Sequence, residues 1–253
     1  MRNLIYQVAV GDDSPLYNTC IDSVSKYCSR FNIDHIVLRQ PKLCILPLNN
    51  HRSENAIRLG YLPIYEKENA FEYFDRYDNV CILDSDIYIK PSAPNIFDEL
   101  KDYEFGAVVE RDMPLTSKYS HKIKKYSSGQ YDLLRNEADF NWNEQGAEFY
   151  NMGLMLMNNS IKKYFYGQSP IDFLRRNEFE RFINGEGLWK WSTDQTLLNY
   201  WVRKEKIRTI KLDWRWNALY RGIQDECLPD AYFVHFFLSS YIEKPIEEII
   251  ATL

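Results

Sequence analysis

Residues 80–87 read VCILDSDI: four apolar residues and then two aspartates, Asp84 and Asp86, one residue apart. A short apolar run followed at once by acidic residues is typical of a buried parallel strand whose carboxyl end opens into a site. Two like charges held together there are costly unless a cation neutralises them, and hard oxygen ligands suit Mn²⁺ or Mg²⁺. The stretch therefore predicts a divalent-metal site, although D-x-D spacing also occurs in ordinary capping turns.

An alternation of helical and extended patterns precedes and follows this stretch. The predicted strands of the first half are 4–10, 33–38, 80–83, 87–89 and 105–109. Between them, apolar residues recur at helical spacing from Leu16 to Phe31, and 53–77 is predicted as a helix bent at Gly60 and Pro63. A short helix is expected over 94–100. This pattern predicts an α/β fold with a mixed, mainly parallel central sheet flanked by helices.

The second half is regular only after a different kind of segment. Residues 110–149 are polar, aromatic and basic in turn, and we interpret them as a loop-rich insertion. Regular patterns then return as strands over 151–157, 207–212 and 232–237 and helices over 170–183 and 194–204. No repeat or linker divides the chain, so residues 1–253 are expected to form one domain.

Composition excludes several classes of protein. Lys and Arg number 31 against 36 Asp and Glu, a formal charge of −5, which argues against a protein that binds nucleic acid along its whole surface. The five cysteines include no CxxC pair, which favours a reducing, cytoplasmic setting. No stretch approaches the roughly 20 apolar residues of a membrane helix, so membrane contact is expected to be peripheral at most.

Four further motifs follow the D-x-D stretch. They are NMGLMLMN at 151–158, STDQTLLN at 192–199, LDWRWN at 212–217 and VHF at 234–236. Their content and order resemble those of the GT-A glycosyltransferases, and best the family that includes glycogenin and bacterial lipopolysaccharide galactosyltransferases. The resemblance implies a metal-dependent, retaining hexosyltransferase. Its donor would be a nucleoside-diphosphate sugar, with a UDP-sugar favoured, and its acceptor a glycan or another hydroxyl compound.

The resemblance also implies roles for individual residues. Asp84, Asp86 and His235 would hold Mn²⁺ or Mg²⁺, and Asp194 would lie near the anomeric carbon of the donor sugar. The donor-binding set would be Ala9, Val10, Asp12, Tyr17, Lys67, Asp84, Ser85, Asn151, Gln195 and Lys244. Each of three residues also has a purely structural interpretation. His235 could be a hydrogen-bonded core histidine, Asp194 a plain helix cap and Lys67 an exposed helical lysine.

The resemblance divides the chain into a nucleotide-binding half, 1–109, and an acceptor-binding half, 110–253. Tyr, Lys and Trp142 side chains of 110–149 are expected to contact the acceptor, with a solvated basic surface as the alternative. Competing functions are a nucleotidyltransferase, a haloacid-dehalogenase-like phosphatase, in which an aspartate of D-x-D is a nucleophile, and a catalytically silent glycan-binding protein.

Overall fold

The computed structural model describes residues 1–11, 14–46, 58–237, 242 and 244–253. The strands are β1 (Asn3–Val8), β2 (Asp34–Leu38), β3 (Asn79–Leu83), β4 (Ile87–Ile89), β5 (Phe105–Val109), β6 (Tyr150–Asn158), β7 (Thr209–Leu212), β8 (Ala218–Leu219) and β9 (Phe233–His235). The α-helices are α1 (Pro15–Phe31), α2 (Ser117–Tyr131), α3 (Pro170–Leu174), α4 (Asn177–Asn184), α5 (Asp194–Lys204) and α6 (Ile246–Ile250). The 3₁₀ segments are Pro63–Asp75, Ile96–Glu99, Glu110–Asp112, Asp132–Leu134, Asn159–Phe165, Gly187–Trp191, Trp214–Asn217 and Asp225–Asp230.

Six strands form the central sheet in the order β2-β1-β3-β6-β5-β7. β1 pairs in parallel with β2 and β3, and β5 pairs in parallel with β7. Among the described strands of this sheet, only β6 runs the other way, antiparallel to both of its neighbours. The interior strands are apolar over most of their length because both faces of the sheet are covered.

The reversal of β6 brings two of the motifs together. Leu83, the last residue of β3, pairs with Leu154, so the chain beyond β3 lies beside the beginning of β6. The Asp84 amide accordingly donates to the Gly153 carbonyl at 2.8 Å. The D-x-D stretch and the segment 151–153 therefore share one edge of the sheet.

A second, three-stranded sheet in the order β4-β9-β8 lies beyond this edge. β4 and β9 are antiparallel, and Ile87 pairs with His235. The Phe236 amide donates to the Asp86 carbonyl at 2.9 Å, which holds the end of β9 against the D-x-D stretch. This register places His235 next to Asp86, although the two residues are far apart in the sequence.

Aromatic side chains fill the space behind the sheet. Phe71, Phe165, Phe173 and Trp201 pack with ring-centroid separations of 4.6 to 6.1 Å. They come from two 3₁₀ segments and from α3 and α5, so one aromatic cluster ties four elements together. Much of the aromatic content of the chain is therefore core.

The structure corrects two of the local predictions. The segment 110–149 is not loop-rich throughout, because it contains the 15-residue helix α2, capped by the Thr116 side chain. The predicted helix 170–183 is two helices, since the chain turns extended at Arg176, with ψ of 135°, where the guanidinium donates to the Tyr164 carbonyl. Over 53–77, the described part contains the 3₁₀ segment Pro63–Asp75, and residues 53–57 lie outside the described residues.

Two further findings concern the covalent state of the chain and its relation to membranes. All five cysteines are free thiols. Within the ranges that the structure describes, no helix combines the length and the apolar character needed to cross a bilayer.

Candidate functional site

Asp84, Asp86 and His235 meet at the carboxyl end of β3. His235 Nε2 lies 3.3 Å from Asp86 Oδ1 and 3.6 Å from Asp84 Oδ2, and one potential ligand atom of each side chain lies within 4.8 Å of the others. Ligand atoms that share a cation at bond lengths of about 2.0–2.2 Å lie roughly 3 to 4 Å apart. The three side chains therefore form a partial coordination shell that fits a divalent cation.

A chain of amide hydrogen bonds fixes which nitrogen of His235 carries the proton. The Gly153 amide donates to Asn151 Oδ1 at 3.0 Å, so this oxygen is an acceptor, and Asn217 Nδ2 donates to it at 2.9 Å. Asn217 must then present Oδ1 to His235 Nδ1, 3.0 Å away. The proton of a neutral His235 therefore lies on Nδ1, which leaves the lone pair of Nε2 directed toward the two aspartates.

The same series of hydrogen bonds continues from Asn151 to a buried carboxyl group, that of Glu110. Asn151 Nδ2 donates to Glu110 Oε2 at 3.0 Å, and the Tyr119 hydroxyl donates to Glu110 Oε1 at 2.7 Å. Burial raises the pKa of Glu110, although both hydrogen bonds oppose the rise. The sequence analysis assigned no role to Glu110 or Asn217, and it included Tyr119 only among the tyrosines expected to contact the acceptor. The tryptophan-asparagine pair in LDWRWN was the one signal that could have pointed to Asn217.

Gly153 is required by the close approach of His235. A Cβ atom at this position would lie 2.3 Å from His235 Cε1 and 2.8 Å from Nδ1. Real Cβ atoms do not come so close to other heavy atoms, so any side chain here would push the imidazole aside. The glycine of the NMG motif therefore makes room for the histidine of the VHF motif.

Lys67 joins the metal-ligand candidates to Asp194. Its ammonium lies 2.8 Å from Asp84 Oδ1 and 2.6 Å from Asp194 Oδ2, and it also donates to the Met152 carbonyl at 3.2 Å. Burial alone would lower the pKa of Lys67, but Asp194 and Asp84 outweigh it and raise the pKa. Lys67 is thus a buried, charged bridge between two carboxylates and not an exposed helical lysine.

Asp194 and Gln195 occupy the first turn of α5. The Thr193 hydroxyl accepts from the Gln195 amide and caps the helix, so Asp194 is not the cap itself. Carboxylates are stabilised at this end of a helix by the exposed amides and the helix dipole. Gln195 Oε1 accepts from the Met152 amide at 3.2 Å, which ties α5 to the beginning of β6.

The aspartates and His235 influence one another electrostatically. Burial alone would raise the pKa of Asp86, but the adjacent His235 lowers it below its usual range. Conversely, burial alone would lower the pKa of His235, and the carboxylates of Asp86 and Asp84 raise it. The group carries more negative than positive charge, as a cation-binding site requires.

A cavity of about 530 Å³ opens on one side of this group, at the carboxyl ends of β1 and β3. Its walls include Val10, Tyr17, Lys67, Asp84 and Ser85, all predicted to contact the donor. The sequence analysis missed the other lining residues of note, which are Gly11, Arg58, Leu59, Lys190 and Thr193. The Ser85 hydroxyl is itself bonded to the Val8 carbonyl, so it fixes the strand ends together.

A second cavity, of about 340 Å³, opens on the other side. It contains Asn151, Asp194, Gln195 and His235, and residues of α2 form its outer wall. Five residues line both cavities: Ile64, Lys67, Asp84, Asp86 and Thr193. The metal-ligand candidates therefore stand where the two cavities meet.

Three predicted donor-binding residues are not placed in these cavities. Ala9 is buried, and its amide donates to the Leu38 carbonyl at 2.9 Å. Lys244 is exposed and lines neither cavity. Asp12 lies outside the described residues.

Comparison with known proteins identifies the fold. No protein-family model matches the sequence, and no curated protein matches it. Among solved structures, a glycosyltransferase involved in the glycosylation of the major capsid of PBCV-1 matches with a TM-score of 0.50 and 16% identity, over 94% of both chains. Mouse xyloside xylosyltransferase 1 matches with a TM-score of 0.52 and 11% identity, over 96% of this chain and all of the other.

The galactosyltransferase LgtC, solved in complex with donor and acceptor sugar analogues, matches with a TM-score of 0.52 and 18% identity, over 92% of this chain and 87% of the other. At such identities the likeness shows the fold alone. The chain has the GT-A glycosyltransferase fold, which confirms the fold predicted from its sequence.

Proposed function

We propose that this protein is a glycosyltransferase that moves a sugar from a nucleoside-diphosphate donor, with a UDP-sugar favoured, to a hydroxyl group of an acceptor. The observation that carries the proposal is the position of Asp84, Asp86 and His235 at the junction of two cavities. A transferase needs two adjoining substrate sites that meet at the reacting bond. The larger cavity would hold the donor nucleotide, and the smaller would hold the acceptor.

The larger cavity has features that suit a nucleotide. In open α/β sheets, ligands bind in the crevice beyond the carboxyl ends of the strands, which is where this cavity lies. Val10 and Leu59 offer apolar surface to a base, and Tyr17 offers an aromatic ring. Arg58 and Lys190 bring positive charge to the same walls, as a diphosphate requires.

The junction has features that suit the departure of a diphosphate. Asp84, Asp86 and the unprotonated Nε2 of His235 would hold Mn²⁺ or Mg²⁺, which supplies Lewis-acid stabilisation of the leaving diphosphate. Asp84 divides its two oxygens between roles, since Oδ1 contacts Lys67 and Oδ2 faces His235. Lys67 keeps Asp84 and Asp194 in place and limits the repulsion between them.

The transfer itself would break the bond between the anomeric carbon and the diphosphate oxygen and form a bond from that carbon to the acceptor oxygen. We propose retention of configuration, with the acceptor proton passing to the leaving phosphate oxygen. Asp194 would stabilise the positive charge that develops at the anomeric carbon. Its place between Lys67 and the acceptor-side cavity supports this role. The free state of all five cysteines supports a reducing, cytoplasmic setting.

Thermal stability with Mn²⁺ and a panel of UDP-, GDP-, CDP- and dTDP-sugars tests the proposal. We expect one nucleotide class to raise the melting temperature of the wild type only when the metal is present, because Asp84, Asp86 and His235 would hold the cation that offsets the charge of the diphosphate. Asp86→Ala should lose the effect. Asp102→Ala, which removes an exposed aspartate outside both cavities, should keep it.

Absence of any metal-dependent nucleotide effect in the wild type would overturn the proposal. Hydrolysis of a generic phosphate ester that is lost in Asp84→Asn would favour the phosphatase alternative. Glycan binding in a protein that binds no nucleotide would favour the catalytically silent alternative.

A further inference from the structure

Helix α2 carries an unusual concentration of positive charge for a protein with a formal charge of −5. Its 15 residues, SKYSHKIKKYSSGQY, include four lysines and a histidine but no acidic residue. All four lysines are exposed, and within the described part of the chain none of them takes part in an ion pair. The helix is therefore a basic surface without a counterpart among the described residues.

One side of α2 forms the outer wall of the acceptor-side cavity. Tyr119, Lys122, Ile123 and Tyr126 all line the cavity. They are spaced at i, i+3, i+4 and i+7, so they follow one another along a single side of the helix. The Lys122 ammonium lies 5.6 Å from the centre of the Tyr119 ring. The cavity wall is thus aromatic with one cation at its exposed edge.

Two further lysines extend this edge. Lys118 and Lys125 lie four residues before and three residues after Lys122, and both positions are neighbours of Lys122 on a helix surface. Lys124 is on the opposite side, where its Cα lies 3.6 Å from the position that a Cβ of Gly146 would occupy. The basic row Lys118, Lys122 and Lys125 therefore borders the cavity, and Lys124 does not.

This positive charge is far better placed for an acceptor than for the donor. Arg58, Lys190 and Lys67 already line the donor-side cavity, whereas Lys122 lines only the acceptor-side cavity. Of the acidic groups that line the acceptor-side cavity, Asp194 pairs with Lys67, and Glu110 accepts from Tyr119 and Asn151. Asp84 and Asp86 lie at the junction with the donor-side cavity, where the proposed cation would balance their charge. At the exposed edge the charge that a ligand meets is positive. The net negative charge of the protein argues against a nucleic acid as that ligand.

We propose that the acceptor is an anionic saccharide whose carboxylate or phosphate pairs with Lys122 while its sugar rings lie against Tyr119, Tyr126 and Phe237. The proposal rests on the proposed function, because it names the substrate class of the second cavity. Lys118 and Lys125 add to the attraction at longer range. Tyrosine and phenylalanine rings offer the flat apolar faces on which sugar rings pack.

Binding of the full-length protein to an array of oligosaccharides tests the proposal without the donor. The probes are uronate-bearing, phosphate-bearing and neutral oligosaccharides, with the methyl ester of each uronate as its uncharged match. We expect retention of anionic members only, and loss of at least tenfold in affinity in Lys122→Gln and more in Lys122→Glu. Lys124→Glu, which makes the same charge change on the opposite side of α2, should bind as the wild type does.

Retention of neutral glycans, retention of none, or equal losses in Lys122→Glu and Lys124→Glu would each overturn the proposal. Preference for the uronate or for the phosphate members identifies which anion Lys122 takes. A separate melting-temperature measurement with UDP and Mn²⁺ in each variant distinguishes this failure from failure of the proposed function. If the nucleotide binds and no anionic glycan does, the acceptor class is wrong and the transferase proposal stands.

Discussion

Two clusters of charged side chains beside the central sheet differ in how completely their charges are matched. In the aspartate cluster, formed by Asp84, Asp86 and Asp194, three carboxylates share the ammonium of Lys67 and the imidazole of His235. Asp84 and Asp86 also face the cavities. The cluster retains carboxylate oxygens that can accept a further ligand.

In the Glu148 cluster the ratio of charges is reversed, because one carboxylate is paired with the three cations Arg111, Arg203 and Lys211. Glu148 Oε1 accepts from Arg203 at 2.7 Å and Asn141 at 3.1 Å, and Oε2 accepts from Lys211 at 2.6 Å and Arg111 at 3.2 Å. Each carboxylate oxygen thus has two donors, and Glu148 lines neither cavity. Burial alone would raise the pKa of Glu148, but Lys211, Arg203 and Asn141 lower it to about 2.

The contrast separates charge that stabilises the fold from charge that is available to a ligand. A buried carboxylate with a full set of donors stabilises the folded chain, and its loss leaves cations without a partner. A carboxylate group short of positive charge is a poor contributor to folding and a good ligand for a cation. Substitutions in the aspartate cluster should therefore affect mainly metal binding and catalysis, and substitutions in the Glu148 cluster should affect mainly the stability of the fold.

The largest effect is expected from Asp86→Asn. Loss of one ligand should lower the rate of sugar transfer with Mn²⁺ by about a thousandfold, or about 4 kcal/mol of transition-state stabilisation. The metal-free protein should lose less free energy of unfolding than Glu148→Gln does, because Asp86 has one adjacent cationic partner, His235, where Glu148 has three. Initial rates and denaturant unfolding in a chelator measure the two quantities.

Glu148→Gln is expected to have a smaller effect, and this effect should be on the stability of the fold and not on catalysis. Three cations would surround a neutral amide, so the free energy of unfolding at neutral pH should fall by about 3 kcal/mol. Metal-dependent binding of the nucleotide should be unchanged. Glu144→Gln, at an exposed glutamate nearby in sequence, is the matched control and should leave stability as it is.

Glu148→Gln should also change how the free energy of unfolding depends on pH. The pKa of Glu148 is lower in the folded chain than its ordinary value of 4.5, so its contribution to stability is present above about pH 4.5 and is lost as the pH falls toward 2. Denaturant unfolding between these pH values should show a smaller loss in Glu148→Gln than in the wild type. Equal losses would contradict the assignment of Glu148 as the matched carboxylate.

The smallest effect is expected from Asn217→Ala, which leaves every proposed metal ligand in place. Without Asn217, the proton and orientation of His235 are no longer fixed, and the affinity for Mn²⁺ should fall by about ten- to a hundredfold. Paramagnetic resonance of free Mn²⁺ measures this directly. Asn177→Ala, at an exposed asparagine of α4, should have no effect, and unchanged affinity in Asn217→Ala would show that the hydrogen-bond chain does not tune the site.

Much of the fold could be predicted because its signals are local. The apolar run before Asp84 identified β3, and the helical spacing of apolar residues identified α1. Helix α2 was missed because its buried side is made of Tyr119, Ile123 and Tyr131 among lysines, a pattern that is weak in aliphatic residues. The reversal of β6 left no mark in its sequence, since buried strands of either direction are apolar.

The site was predictable where residues act alone and not where they act through partners. Sequence could not decide the state of Lys67, because Glu66-Lys67-Glu68 has the composition of an exposed turn. In the structure all three are buried, and Glu66 is held by the backbone amides of Lys42, Leu43 and Cys44. The series of hydrogen bonds that links Glu110 to His235 through Asn151 and Asn217 joins four separate segments of the sequence. No local sequence pattern specifies how these segments pack against one another.

The pairing of β4 with β9 has a consequence for the timing of synthesis. Chains emerge from the ribosome from the N-terminus onward. A nascent chain that has not yet exposed β9 contains Asp84 and Asp86 but not His235, and it also lacks the Phe236 amide that donates to the Asp86 carbonyl. The proposed cation site therefore matures late in translation, after the segments up to α5 that supply most of the lining of the two cavities have been made. A prematurely released chain would carry the D-x-D stretch without its third ligand.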